Sequence, residues 1–126
     1  MTEPNMAIIS VGSNIDAERN IGLMLELIRK NVRIDKLSDM VTTEPIGLTN
    51  QPKYTNGAIK IFTSMDFEPL NRFLKSVEDA LGRDRTLPKF GPRTIDLDIV
   101  VWNGKIIDND YHTRDFLKVA VDALMQ

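Results

Sequence analysis

The segment FGPRTIDLDIVVW, residues 90–102, decides the predicted fold, and it alternates between apolar and polar residues from Thr94 onward. This period of two predicts a β-strand with one apolar face, made by Ile95, Leu97, Ile99 and Val101. The opposite face then carries Thr94, Asp96, Asp98, Val100 and Trp102. A strand rises about 3.3 Å per residue, so the Cα atoms of the two aspartates are expected about 6.5 Å apart. Two such carboxylates suit Mg²⁺ ions that keep most of their waters and bridge to phosphates.

The alternative interpretation is that the aspartates form the solvated face of an antiparallel edge strand. Two features favour a site. Aspartate is a poor strand former, yet it occurs twice in this run. The preceding stretch, residues 82–90, resembles a loop, and with Arg93 it brings four basic residues, Arg83, Arg85, Lys89 and Arg93, against Asp84 alone. Cations that flank paired carboxylates are expected where a polyphosphate and its metal bind.

Length and composition bound the class of protein. The chain has 126 residues, 42% of them hydrophobic and 27% charged, as is typical of one globular domain spanning residues 1–126. A net charge of −2 argues against a nucleic-acid partner bound by electrostatics. Cysteine is absent, and no run is apolar enough for a membrane span or a signal peptide. A soluble, cytoplasmic protein is therefore expected.

The order of predicted elements indicates an α+β fold. Three strands are predicted at residues 7–11, at 32–41 with a turn near Lys36, and at 53–62 after a long loop. Helices are predicted from an N-cap at Asp16 to about residue 31 and from Asp66 to a stop at Gly82. After the aspartate strand, Asn103-Gly104 predicts a hairpin, residues 108–113 a polar turn, and residues 114–125 a final helix. This order fits a ferredoxin-like antiparallel sheet with two packed helices, plus a C-terminal hairpin and helix.

Further candidate residues lie on the other predicted elements. Tyr54 and Asn56 share one face of their strand, where a ring and a carboxamide suit a flat, amide-bearing heterocycle; the alternative is a half-buried aromatic beside a bulge. Gly12 would allow a ligand close to the backbone, although a plain turn also explains it. Glu78 falls at the edge of an apolar helix stripe, where it is expected to be exposed or paired with Arg83 or Arg85.

The run Gly-Pro-Arg-Thr-Ile-Asp-Leu-Asp-Ile, residues 91–99, resembles the signature of the 6-hydroxymethyl-7,8-dihydropterin pyrophosphokinase family. Val-Gly-Ser-Asn at residues 11–14 resembles the end of that family's first strand. The family's loop-and-strand pattern is matched at Thr43, Pro45, Gly47, Gln51, Pro52, Tyr54 and Asn56. Arg114-Asp115-Phe116 resembles its Arg-x-Phe motif.

The resemblance implies transfer of pyrophosphate from MgATP to the hydroxymethyl group of the pterin in folate biosynthesis, with two Mg²⁺ ions held by Asp96 and Asp98. It implies a pterin site made by Gly12, Thr43, Ile46, Tyr54, Asn56 and Phe116. Catalytic roles fall on Arg83, Arg93, Asp96 and Asp98. The residues implied to bind ATP are Glu78, Arg85, Arg93, Ile99 and Arg114.

The resemblance is continuous from about Ala7 to Asp98 and weaker beyond, so a short member with a truncated C-terminal region is expected. Lys75 stands where many members have glutamine. His112 either replaces the family's phosphate-contacting histidine or lies in a surface turn. Two other functions stay open at this point: a non-catalytic pterin- or nucleotide-binding relative, and a small nucleic-acid or regulatory module.

Overall fold

One antiparallel sheet organises the chain in the computed structural model, which describes residues 3–45, 47, 50–87 and 91–126. The strands in the described part are β1 (Asn5–Ser13), β2 (Arg33–Leu37), β3 (Val41–Thr43), β4 (Tyr54–Thr63), β5 (Asp96–Trp102) and β6 (Lys105–Ile106). The helices there are α1 (Ala17–Arg29), α2 (Phe67–Ala80), α3 (Asp110–Thr113) and α4 (Asp115–Met125). None of these helices has the length and apolar character needed to cross a membrane.

The strand order is β2-β4-β1-β5-β6, and β3 also pairs with β4, next to β2 on the same edge. Every pairing is antiparallel. The central strand β1 lies between β4 and β5, so it joins the two strands that carry the candidate site residues. This confirms the predicted α+β, ferredoxin-like sheet with its C-terminal hairpin and helix.

The sheet separates two hydrophobic cores, because alternate side chains of each strand point to opposite faces. On the first face, α1 and α2 pack against β1, β4 and β5, through buried residues that include Met24, Leu74, Ile9, Ile61 and Leu97. On the second face, α4 packs through Leu117, Val121 and Leu124 against Ile8 and Val101. By the same alternation Asp96, Asp98 and Asn56 belong to this second face, and they line one cavity together with Phe116 and Leu117 at the start of α4.

A β-bulge in β5 corrects the predicted alternation. Ile9 pairs with Ile99 but Ile8 pairs with Val101, so Val100 is an extra residue without a partner on β1. The bulge reverses the faces that follow it. Val101 therefore packs with the α4 core, and Trp102 packs on the α2 side, with its ring 5.6 Å from that of Phe67. The predicted face was wrong for these two residues and right for Ile95 to Ile99.

The predicted strand over residues 32–41 is also corrected. It is two strands, and the break falls between Leu37 and Val41 rather than at a turn near Lys36. Near Lys36 the chain stays in β2 and only shifts its register against β4. In the break, Ser38 accepts a hydrogen bond from the Ala58 N–H and donates its own N–H to the Ala58 carbonyl oxygen.

The helix ends lie close to the predicted positions, but the capping interactions expected there are only partly formed. Asp16 and Asp66 are the N-cap residues, but neither side chain makes a capping hydrogen bond. Gly82 follows α2 with φ +83°, a left-handed conformation that favours glycine. The predicted polar turn at residues 108–113 contains the short helix α3.

Candidate active site

A cavity of about 240 Å³ lies at the end of the sheet beside α4. Its floor is a row of three residues on neighbouring strands, since Gly12 of β1 faces Asn56 of β4 on one side and Asp96 of β5 on the other. The cavity brings together most of the predicted site residues: Gly12, Thr43, Tyr54, Asn56, Arg83, Arg93, Asp96, Asp98, Arg114 and Phe116. Ser10, Glu44, Asp110 and Leu117 also line it and were not predicted.

One half of the cavity is neutral and aromatic. The phenol of Tyr54 donates a hydrogen bond to the Gly91 carbonyl oxygen at 2.7 Å, and burial raises its pKa, so the ring stays uncharged. The Asn56 amide donates to the Thr43 hydroxyl. Phe116, at the start of α4, contributes a second aromatic wall. This half offers rings for stacking and a carboxamide for a polar ring edge.

Gly12 is needed for the shape of this half. A Cβ atom at this position would come within 2.9 Å of the Asn56 Oδ1 and 3.9 Å of the Tyr54 Cδ1. Since Asn56 is already held by Thr43, any larger residue at position 12 would displace the carboxamide. The structure thus shows Gly12 close to the side chain of Asn56, and the approach of its backbone to a ligand stays a prediction.

The other half of the cavity is charged, and each aspartate has its own cation. The Arg83 guanidinium donates to Asp96 Oδ1 at 3.2 Å, and the Lys75 ammonium lies 3.6 Å from Asp98 Oδ1. Burial raises the pKa of Asp98 to about 6, and the negative charge of Asp96 adds to this, while Lys75 opposes it. Asp98 therefore exchanges its proton near neutral pH, and a cation beside it would favour the charged form.

Glu78 joins this charged half to helix α2. Its carboxylate is completely buried and accepts hydrogen bonds from the Leu97 N–H at 2.8 Å and from Arg85 at 3.0 Å, with Arg83 3.2 Å away. The predicted pairing of Glu78 is confirmed with both arginines, and the exposed alternative is wrong. Both carboxylate oxygens are thus engaged by the protein itself, and the implied contact with ATP stays a prediction.

The remaining predicted site residues differ in whether they line the cavity. Arg93 lines the cavity, and its backbone exchanges hydrogen bonds with Asn14. Arg114 precedes α4, with its Nε 3.8 Å from Asp110 Oδ2. Arg85 and Ile99 do not line the cavity: Arg85 pairs with Glu78 and Asp79, and Ile99 belongs to the first core. Their contacts with ATP stay predictions.

Two further predicted residues remain, Ile46 and His112. Ile46 lies outside the described residues, as do Lys89 and Phe90. His112 is exposed on α3, edge-on to the ring of Tyr111, and is not among the residues that line the cavity. This position fits the surface alternative for His112.

The carboxylate pair fits a cation that brings other ligands with it. In residues 3–45, 47, 50–87 and 91–126, no group of three or more histidine, cysteine or acidic side chains is placed to hold a metal. Asp96 and Asp98 share one face of β5 and together offer only carboxylate oxygens. Mg²⁺ is typically bound by one or two carboxylates while waters and substrate phosphates complete its octahedron. The donor set therefore suits Mg²⁺ bound together with a phosphate ligand.

The fold and the site define an α+β protein whose antiparallel sheet carries, at one end, a cleft with a neutral aromatic half and a charged half. The model of the 7,8-dihydro-6-hydroxymethylpterin-pyrophosphokinase family matches residues 8–126. The chain therefore belongs to that family, and the match continues past Asp98, where the sequence resemblance was weaker.

Relatives from several organisms agree with this assignment. The chain is 35% identical over 109 residues to the 2-amino-4-hydroxy-6-hydroxymethyldihydropteridine pyrophosphokinase of Bacillus subtilis, covering 84% of this chain and 65% of that protein. It is 36% identical over 115 residues to the folic acid synthesis protein fol1 of Schizosaccharomyces pombe, covering 89% of this chain and 16% of that protein. The folate synthesis bifunctional protein of Arabidopsis thaliana is 31% identical over 105 residues, covering 82% and 22%. The chain thus spans less than two thirds of the length of each of these relatives.

Proposed function

We propose that this chain transfers pyrophosphate from MgATP to the hydroxymethyl group of 6-hydroxymethyl-7,8-dihydropterin, giving AMP and the pterin diphosphate of folate biosynthesis. The observation that carries this proposal is the shared floor of the cavity, where Asn56, Gly12 and Asp96 lie side by side on three strands. A ring bound at the aromatic half therefore places its substituent next to the carboxylates. The names of the relatives support the same reaction.

The neutral half would bind the pterin. Tyr54 and Phe116 would stack on its two faces, and Asn56 would pair with its polar edge, supported by Thr43. Gly12 would leave room for that carboxamide, and the backbone near Ile46 would complete the site. A carboxamide carries both donor and acceptor groups, as the amide-like edge of a pterin requires.

The charged half would bind the triphosphate. Asp96 and Asp98 would hold two Mg²⁺ ions, which when bound neutralise the phosphates and orient the attacking hydroxyl. Arg83 and Arg93 would face the transferred group. Arg85, Arg114, Glu78 and Ile99 would contribute to the ATP site, directly or by holding its arginines.

The chain's own contribution to the reaction would be alignment and charge. The pterin hydroxyl would attack the β-phosphorus of ATP, and the bond from that phosphorus to the oxygen it shares with the α-phosphorus would break, so AMP leaves. Such transfers depend mainly on positioning and electrostatic stabilisation, and they need no nucleophilic side chain. The arginines would balance the charge that develops on the transferred group.

The test is to mix the protein with ATP, Mg²⁺ and 6-hydroxymethyl-7,8-dihydropterin and to measure AMP, with the pterin diphosphate identified by mass spectrometry. AMP formed in equal amount to pterin diphosphate would support the proposal. Binding of the pterin without any AMP would contradict it and would favour a non-catalytic relative.

A cytoplasmic location and the lack of a nucleic-acid partner stay predictions from the cysteine-free, net acidic sequence.

A further inference from the structure

Along part of the outer edge of β5, side chains rather than a neighbouring strand form hydrogen bonds with the backbone. On this edge β6 pairs only with Val101 and Trp102. Nearer the aspartates, the Leu97 N–H donates to Glu78, and the Leu97 carbonyl oxygen accepts a hydrogen bond from Lys75 at 3.2 Å. Buried backbone groups need such partners, so this part of the strand depends on α2.

The Lys75 ammonium group donates one hydrogen bond, to the Leu97 carbonyl oxygen, and forms ion pairs with two carboxylates. Besides the Leu97 carbonyl oxygen, it lies 3.6 Å from Glu78 Oε2 and 3.6 Å from Asp98 Oδ1. Glu78 is completely buried, whereas the side chains of Lys75 and Asp98 are 38% and 45% exposed. Of the two carboxylates near Lys75, only that of Asp98 is therefore open to an incoming cation.

The two aspartates differ in how firmly their cations are held. Arg83, the partner of Asp96, is only 11% exposed and is also bound to Glu78 and to the Ile95 carbonyl oxygen. Lys75 reaches Asp98 with a flexible stem and a partly exposed head group. A divalent cation that approaches Asp98 meets the positive charge of the Lys75 ammonium group beside Oδ1. That ammonium group can move away from Asp98 and keep its contacts with the Leu97 carbonyl oxygen and with Glu78.

We propose that Lys75 is a positioning residue that competes with a divalent cation for the Asp98 carboxylate and thereby lowers the metal affinity of the site. Since Asp96 and Asp98 are metal ligands only under the proposed function, this role of Lys75 rests on it. While no metal is bound, Lys75 serves as the counter-ion of Asp98. Metal binding breaks that contact, and Lys75 stays anchored to the strand edge.

The test is a titration of the protein with Mn²⁺ alone, up to millimolar concentration, with free Mn²⁺ measured by electron paramagnetic resonance. Lys75→Gln removes the charge but keeps an amide donor for the Leu97 carbonyl oxygen, and Lys75→Met serves as a second uncharged variant. Lys75→Arg keeps the charge. Arg72→Gln, an exposed charge on the same helix, is the matched control.

We expect Lys75→Gln and Lys75→Met to bind Mn²⁺ about fivefold more tightly than the unmodified protein, from the Coulomb energy of one charge at this distance in a solvated site. Lys75→Arg and Arg72→Gln should stay within about twofold, because each leaves a positive charge beside Asp98. Equal or weaker binding by the uncharged variants would overturn the role of Lys75 alone. No Mn²⁺ binding by any protein, including the unmodified one, would overturn this role of Lys75 and leave the proposed function standing, because a metal that enters only together with phosphate would not bind alone.

Discussion

The backbone on the outer edge of β5 finds different hydrogen-bond partners at the two ends of the strand. At Val101 and Trp102 the outer edge pairs with β6 through a tight hairpin, and the Trp102 ring packs against Phe67. At Leu97 the same edge is satisfied by charged side chains from α2, led by Glu78 and Lys75. The first end is held by backbone pairing, packing and the uncharged side chain of Asn103, whereas the second end brings charge to the strand.

This difference explains why the site lies at one end of β5. A neighbouring strand would have satisfied Leu97 without any charge. Because α2 supplies the partners instead, the groups that support the backbone also face the aspartates, and Arg83 contacts both Glu78 and Asp96. Changes at the charged end should therefore alter both stability and activity, and changes at the hairpin end only stability.

The largest effect is expected from Asp96→Asn at the charged end. Losing one carboxylate of the pair should lower the rate of AMP formation at least about a thousandfold, since it removes a proposed metal ligand and one of the two carboxylates that Arg83 contacts. Asp35→Asn, which removes a carboxylate from the distant edge strand β2, is the control and should keep its rate. An Asp96→Asn variant with unchanged turnover would contradict the metal assignment.

Glu78→Ala should be the most destabilising change at this end. It would leave the nearly buried Arg83 without one of its two carboxylate partners and the Leu97 N–H without an acceptor, at a cost of about 3 kcal/mol or more in the free energy of unfolding. Urea denaturation would measure it. Lys105→Ala, an exposed residue of β6, should change the free energy by less than about 0.5 kcal/mol. Similar losses for the two variants would contradict the distinction between the ends.

The pKa of Asp98 predicts how metal binding depends on pH. It is raised to about 6 in the folded protein, so protonation of Asp98 stabilises the fold fully below its ordinary pKa, and this contribution is lost as the pH rises through about 6. A metal ion needs the carboxylate, so Mg²⁺ affinity should fall about tenfold per pH unit below 6. Thermal shifts with Mg²⁺ at several pH values would measure it. If the Asp98 carboxyl causes this pH dependence of Mg²⁺ affinity, Asp98→Asn should abolish it. An unchanged pH dependence in that variant would show that another group is responsible.

The smallest effect is expected from Gly104→Ala at the hairpin end. Gly104 has φ +85°, and a Cβ atom there meets nothing within 4 Å, so the cost is one of backbone conformation, about 1 kcal/mol. Gly22→Ala is the control in helix α1, where space is also open, and it should stabilise the protein slightly. Thermal denaturation would compare the two. A loss of AMP formation in Gly104→Ala would show that the hairpin end also serves the site.

The sequence predicted the carboxylate pair and most of the residues that surround it in the cavity, but not every face of β5. Alternation along residues 94–99 correctly put Asp96 and Asp98 on one face, because the period of two depends only on the local chain. It failed at Val101 and Trp102 because a bulge depends on the register of the partner strand β1, which no local pattern shows.

The contacts around Leu97 could not be predicted for a similar reason. Spacing on α2 put Glu78 at the edge of an apolar stripe and suggested an arginine partner, and both features are present. Its burial against the edge of β5, and the contact of Lys75 with Asp98, arise only when α2 and β5 pack. The approach of Asp110 to Arg114 could have been predicted, since four residues separate them near a helix end.

The most direct test of the central claim is a crystal structure of the protein with Mn²⁺ and a non-hydrolysable ATP analogue, in which anomalous scattering locates the metal. We expect Mn²⁺ in direct contact with carboxylate oxygens of both Asp96 and Asp98, with the triphosphate beside Arg83 and Arg93. Mn²⁺ bound elsewhere, or a triphosphate bound away from these two aspartates, would contradict it.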